Sequence, residues 1–287
     1  MKTVFLILNY QTYTDTIELV NELLSQEIGN RKIVIVDNCS PNGSFGYLQQ
    51  EFANSIYVDV IQSGANGGYA KGNNFGLLYI EKYSPKFVCI INNDVHFSLA
   101  TIKKMEDMYA NLDNVGIISP TQYIIHEESP AKFIDLCHIP TLLDDIRTTS
   151  CIGRVNPHEY KNNCKYDGLQ EVAIVPGAFL FVSYATFKNV GFFEERTFLF
   201  CEERFTAKKM QDNNLVCYLL LDEKYIHAHS VTINKSASAS RQRKMLVDGK
   251  ILYAKLMRKN AMLAVFLLKV AFCFGNIVNA LKNIIRH

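Results

Sequence analysis

Phe87-Val88-Cys89-Ile90-Ile91-Asn92-Asn93-Asp94-Val95 decides how this chain folds. An unbroken run of five apolar residues is what a strand covered on both faces requires, as in a parallel sheet. Asn-Asn-Asp then ends the run with turn-forming side chains. The same figure recurs upstream. Residues 33–36 are apolar and stop at Asp37-Asn38-Cys39-Ser40-Pro41-Asn42-Gly43, residues 4–8 stop at Asn9, and residues 58–61 form a further short run. Between them, residues 14–24 place Ile17, Val20, Leu23 and Leu24 at helical spacing. Downstream, residues 101–112 put Ile102, Met105, Met108 and Leu112 on one helical face. Strands alternating with helices over short connections predict an α/β fold, with a mostly parallel central sheet flanked by helices. Ligands of such sheets lie beyond the carboxyl ends of the strands, so Asn9, Asp37 and Asp94 should converge on one crevice.

Bulk properties narrow the reading. The 287 residues are 48% hydrophobic and 20% charged, enough for a sizeable core. A net charge of +2 and no basic stripe through the main part give no reason to expect nucleic acid as a partner. Eight cysteines contain no Cys-x-x-Cys pair, which argues against a zinc site. Several sit in apolar runs as small hydrophobes, and a reducing cytosolic compartment is expected. The opening apolar run is too short for a signal peptide and suits a first buried strand.

Five segments carry candidate chemistry. Asp37 with Asn38 can accept hydrogen bonds from a base or a ribose, although the same residues also close an Asx-turn. Residues 64–76, Gly-Ala-Asn-Gly-Gly-Tyr-Ala-Lys-Gly-Asn-Asn-Phe-Gly, hold five glycines in thirteen positions and lead into an apparent helix over 77–83. Glycines let backbone approach a ligand, and a helix N-terminus favours anions. The spacing matches neither a Walker loop nor a dinucleotide fingerprint. Asp94 can ligate a hard divalent ion, with Asn92 adding a weaker contact. Glu202-Glu203 open a helix whose i+3 and i+4 positions, Phe205, Thr206 and Ala207, offer no cation, so a local ion pair does not account for them. One of the two facing a crevice can act as general base. His227 and His229 alternate, which puts both on one face of a strand, where either can reach a metal or a diphosphate.

The end of the chain differs in kind. Residues 241–259 are rich in lysine and arginine, and 261–275 are apolar except for Lys269. That is short of the roughly 20 residues a bilayer span needs. A basic, apolar-faced amphipathic helix in the membrane interface is one expectation, and a helix packed on the catalytic domain or a partner subunit is the other. Residues 1–235 are expected to form the main domain and 236–287 a helical tail.

In this order and at these intervals the segments resemble the family 2 glycosyltransferases of the GT-A fold, nearest the rhamnosyltransferase-like and capsular-polysaccharide branch. The resemblance rests on Ile7-Leu8-Asn9-Tyr10, Ile35-Val36-Asp37-Asn38-Cys39-Ser40, Asn66-Gly67-Gly68-Tyr69-Ala70-Lys71-Gly72-Asn73-Asn74, Asn92-Asn93-Asp94, Pro176-Gly177-Ala178-Phe179, Val190-Gly191-Phe192-Phe193-Glu194-Glu195 and Glu202-Glu203. It covers about the first 235 residues and implies a GT-A type, Rossmann-like sheet. It implies inverting transfer from a nucleoside-diphosphate sugar to the hydroxyl of a glycan or lipid-linked acceptor, in bacterial cell-surface polysaccharide synthesis. The site carried over is Asn9, Asp37, Asn38, Asn66, Gly67, Lys71, Asn74, Asn92 and Asn93 for the nucleotide sugar. Asp94 with His227 or His229 would hold Mn2+ or Mg2+, and Glu203, or Glu202, would be the base. The chain departs from the family pattern where Asn92 and Glu203 stand in place of aspartates. Expected partners are donor, acceptor and, through the tail, the inner face of the membrane, with a homodimer left open. The rival readings are a nucleotidyltransferase and a non-catalytic scaffold.

Overall fold

The computed structural model describes residues 2–124, 136–152, 168–228 and 238–286, with side chains to Leu281 in the last helix. Its strands are β1 (Thr3–Asn9), β2 (Arg31–Asp37), β3 (Val58–Gln62), β4 (Phe87–Asn92), β5 (Val95–His96), β6 (Val115–Ile124), β7 (Leu169–Val172), β8 (Phe179–Ser183) and β9 (Val216–His227). They form one sheet in the order β3-β2-β1-β4-β8-β6-β9-β5, with β7 also pairing β9. The helices are α1 (Tyr13–Ser25), α2 (Ser44–Glu51), α3 (Gly68–Ile80), α4 (Leu99–Asn111), α5 (Leu142–Thr149), α6 (Tyr184–Asn189), α7 (Glu202–Asp212), α8 (Ala239–Met257) and α9 (Ala261–Arg286).

The mostly parallel α/β sheet expected from the sequence is present, with three reversals. β3, β2, β1 and β4 pair in parallel, as do β6 and β9, whereas β8, β5 and β7 run the other way. β8 starts beside the end of β4, with Phe179 opposite Ile91. Its approach segment, Pro176-Gly177-Ala178, therefore lies at the same rim as the β4 terminus, and Ala178 O accepts the Asn92 N–H at 3.0 Å. The register puts Asn9 opposite Asp37 and Leu8 opposite Asn92.

Period-two alternation divides the core between the two faces of the sheet. Phe5, Ile7, Ile33, Ile35, Cys89 and Ile91 face one way, under Leu19 and Leu23 of α1 and Ile102 and Met105 of α4. Val4, Leu6, Val34, Val36, Val88 and Ile90 face the other, under Leu77 of α3, Phe187 of α6 and Met210 of α7. Both faces are covered, which is why these strands read as unbroken apolar runs.

Two elements differ from the sequence reading. α3 begins at Gly68, so most of the glycine-rich stretch is helix rather than loop. Glycine disfavours helix, but a Cβ on Gly72 would come 2.6 Å from Leu8 and one on Gly76 2.4 Å from Leu6. Close seating of α3 on β1 and β2 outweighs that propensity. The second is β6, where the sequence reading offers no element; the strand continues through Pro120. The strand tolerates the proline because its pairing with β9 shifts register between Pro120 and Thr121.

Candidate active site

Asp37 ends β2 fully buried, and its carboxylate is already engaged. Oδ1 accepts Asn9 Nδ2 at 2.7 Å, while Oδ2 accepts Gln62 Nε2 at 2.9 Å and the Ser40 N–H at 3.0 Å. Asn9 is itself held by the Thr16 hydroxyl at 2.9 Å. With three bonds and 0% exposure, Asp37 braces the ends of β2 and β3, and the base or ribose contact expected of it has no open surface in this conformation. Asn9 braces Asp37 and is fully buried.

The stretch beyond β3 is fastened from both sides. Asn38 Nδ2 donates to Asn66 Oδ1 at 3.0 Å and to Gly68 O at 3.1 Å, and its Oδ1 accepts the Ser63 hydroxyl at 3.0 Å. The Tyr69 N–H donates to Phe198 O at 2.9 Å. Gly68 has φ +82° there, and a Cβ on it would lie 2.0 Å from Phe198 O, so this crossing admits only glycine. Lys71 is exposed on the first turn of α3, beside Gly67. Asn74 points the other way: its Nδ2 donates to Phe193 O at 3.1 Å and Glu195 Oε1 at 3.0 Å, and its Oδ1 accepts the Phe193 N–H at 3.1 Å.

At the end of β4 the three polar residues part. Asn93 Nδ2 reaches the Thr12 hydroxyl at 2.7 Å and the Thr16 hydroxyl at 2.9 Å, anchoring the start of α1. Asn92 faces the crevice. Asp94 Oδ1 stands 3.0 Å from His227 Nε2. The other ring nitrogen of His227 lies 3.1 Å from Gln122 Nε2, and Gln122 Oε1 accepts the Tyr225 hydroxyl at 2.6 Å. With Gln122 Nε2 toward Nδ1 the ring proton sits on Nε2, toward Asp94; with the Gln122 amide turned over, its Oε1 accepts a proton on Nδ1 and Nε2 keeps its lone pair for a metal. His229 lies outside the described residues.

Glu202 and Glu203 open α7 after two residues in left-handed backbone, Phe200 at φ +73° and Cys201 at φ +69°. Glu202 is almost wholly covered, its Oε1 has no hydrogen-bond partner among the described residues, and burial together with Glu203 pushes its pKa up to about 8. Burial raises Glu203 too. Glu203 lies against Gly177, where a Cβ would be 2.9 Å from its Oε1. Tyr69, buried alongside, donates its hydroxyl to Gly177 O at 2.7 Å. A cavity of about 370 Å³ is lined by Asn92, Gln122, Gly177, Glu203, Arg204 and His227, within the size range of small-ligand pockets.

The structure therefore collects Lys71, Asn92, Asp94, His227 and Glu203 along the carboxyl rim, with Asn66 and Gly67 beside them and Asp37 buried at the end of β2. Asn9, Asn38, Asn74 and Asn93 hold the framework by the bonds given above. Three residues escaped the sequence reading: Gln122, Tyr225 and Arg204. Gln122 stands four residues beyond the apolar stretch 115–118, after Ser119, Pro120 and Thr121, and the proline hides it, since proline argues against a paired strand.

The profile of Glycosyl transferase family 2 matches residues 5–158 of this chain. The chain belongs to glycosyl transferase family 2. It is 25% identical over 199 residues to the low-salt glycan biosynthesis hexosyltransferase Agl10 of Haloferax volcanii, covering 69% of this chain and 58% of that protein. It is 24% identical over 208 residues to the rhamnosyltransferase WbbL of Escherichia coli K12, covering 70% of this chain and 74% of WbbL. This family 2 chain thus spans less than two thirds of the length of Agl10. Its fold is shared with S. aureus TarS 1-349 in complex with UDP-GlcNAc, at a TM-score of 0.57 and 16% identity, over 93% of this chain and 70% of that one. The mannosyltransferase PcManGT from Pyrobaculum calidifontis, in complex with GDP-Man and Mn2+, gives a TM-score of 0.58 and 13% identity over 98% and 75%. At such identities the likeness establishes the fold, as the resemblance implied.

Proposed function

We propose that this chain moves a hexosyl unit from a nucleoside-diphosphate sugar to an acceptor hydroxyl, with inversion, by a single displacement. The observation that carries this reading is Glu203: a carboxyl whose pKa burial raises, sharing one cavity with Asn92 and His227 at the carboxyl rim of the sheet. A raised pKa makes Glu203 a stronger base toward a hydroxyl once it is ionised. Glu202, one residue away and more deeply covered, keeps its proton at neutral pH, which lets Glu203 carry the charge. Glu203 removes the acceptor proton, and the oxygen attacks the anomeric carbon from the face opposite the diphosphate.

On the donor side, Asn66, Gly67 and Lys71 edge the place for the nucleotide, Asp37 braces the strand ends beside them, and the N-terminus of α3 favours the phosphates. Asp94 Oδ1 and His227 Nε2, 3.0 Å apart, have the spacing of neighbouring ligands on an octahedral ion with bonds of about 2.1 Å. Among the described residues no third His, Cys, Asp or Glu joins them. The pair fits an ion that takes its remaining ligands from diphosphate and water. A bound Mn2+ or Mg2+ there supplies charge neutralisation for the leaving diphosphate. PcManGT, of like fold, holds Mn2+. The acceptor we infer is a glycan or lipid-linked glycan at the cytoplasmic face of the membrane, in cell-surface polysaccharide synthesis. Two relatives named for glycan biosynthesis and rhamnosyl transfer support this, and so do Leu199, Phe200 and Leu246, which give the cavity an apolar side.

Glu203→Gln tests the reading. It keeps shape and removes the base, so kcat should fall by about 10²–10⁴-fold while donor binding and the unfolding midpoint stay near wild type. Near-normal turnover by a folded Glu203→Gln enzyme would overturn the assignment.

A further inference from the structure

We infer that α9 is an in-plane seat on an anionic lipid bilayer, its outer apolar face toward the lipid, and that it does not cross the membrane. This goes beyond the transfer reaction and does not depend on it.

The apolar helix extends past the stretch 261–275 read from the sequence: residues 261–281 are long and apolar enough to span, with a mean hydropathy of 2.2. Packing argues against spanning. Ala264, Leu268, Ala271 and Gly275 form a buried stripe along one side of α9. Ala264 and Leu268 cluster with Ala254 of α8, and Gly275 meets Thr149 O of α5 and Arg243 of α8. Arg243 also reaches Asn276, so α8 runs antiparallel beside α9 along its length. That neighbour is charged. Lys250 bonds to the Thr148 and Thr149 hydroxyls, and Arg258 to Asp145 and Pro140 O. A spanning α9 would draw α8 and these cations into hydrocarbon, where ions and unpaired polar groups are strongly disfavoured.

The opposite side of α9 is free and apolar. Met262 is 90% exposed, Phe266 62%, Ile277 59% and Leu281 54%, and no charged residue interrupts their arc. Lys269 falls at its edge, and Lys255 and Lys259, near the turn between α8 and α9, are exposed. Residues 238–287 contain ten lysines and arginines against one acid, Asp248, giving 10 − 1 = +9 in a chain whose net charge is +2. The remainder is therefore at −7, so the positive charge is concentrated in the packed pair α8 and α9, the second of which bears the apolar face. Anionic headgroups satisfy both features together. A second copy of the chain would satisfy only the apolar one, because two such surfaces repel each other.

The test is flotation of the full chain with vesicles of phosphatidylcholine alone or with phosphatidylglycerol. Binding is expected to need the anionic lipid, to weaken with salt and to be lost to an alkaline carbonate wash. Phe266→Glu with Ile277→Glu should lower it by more than about tenfold. These positions are outside the transfer site, so turnover of a soluble acceptor should stay unchanged. Carbonate-resistant binding would show a span and overturn the inference. So would vesicle binding that ignores the double substitution, or a dimer in sedimentation that the substitution dissociates without any vesicle binding.

Discussion

Asp145 Oδ1 accepts Arg204 Nη1 at 2.7 Å, tying α5 to the residue that follows Glu203 although 59 positions separate the pair. The other carboxylate oxygen accepts Arg258 Nη2 at 2.8 Å, so one fully buried acid binds α7, which carries Glu203, and the end of α8 into one assembly.

Asp145→Ala leaves two largely buried guanidinium groups without their acid. Removing one partner of such a network costs about 3–5 kcal/mol. The urea midpoint should fall accordingly, and kcat with it, because Glu203 shares the first turn of α7 with Arg204. A midpoint within error of wild type would show that the ion pairs carry no net stability.

Gln122 orients His227 through its ring, the part an outer partner would play in the proposed metal site. Gln122→Leu should weaken Mn2+ binding about 10–100-fold, and His227→Ala or Asp94→Asn by more. Titration calorimetry with Mn2+ in the presence of a nucleoside diphosphate measures this independently of turnover. Equal affinity in Asp94→Asn would remove Asp94 from the metal site.

Glu202 makes stability depend on pH in a stated direction. Its pKa rises from an ordinary 4.5 to about 8 on folding, so the folded state binds the proton more tightly than the unfolded chain. This contribution is complete below about pH 4.5 and is lost progressively as pH rises through 8. Glu202→Gln stays neutral throughout, so the gap between variant and wild type should shift in favour of the variant between pH 5 and pH 8.5. Urea unfolding at both pH values reads it, and parallel curves would refute the buried-acid account.

Gly68→Ala places a methyl group on a residue with φ +82°, against the carbonyl of Phe198. Destabilisation of more than about 1 kcal/mol is expected. Because the crossing holds the loop before α3 in place, donor affinity measured by nucleotide fluorescence quenching should drop as well.

The division between what was legible in the chain and what was not follows from the range of the forces involved. Alternation of buried faces is a local property, so the apolar runs of β1, β2 and β4, the periodicity of α1 and α4, and the polar residues at the strand ends could all be read in order. Those runs already placed Asn9, Asp37 and Asp94 at the mouth of a sheet, whereas only the family resemblance brought the Glu202-Glu203 pair there. The work each polar side chain performs depends on partners far along the chain. Asn74 meets Phe193 across 119 positions, Asn93 meets Thr12 across 81, and Gln122 meets His227 across 105. Asparagines that look alike in sequence thus become framework clamps or rim groups only when the sheet closes. The same holds for α3, where glycine's poor helix propensity gives way to close packing on β1 and β2, and for α9, where only the charged helix beside it separates an in-plane seat from a span. Composition and periodicity record how much is buried. Tertiary structure alone decides against what.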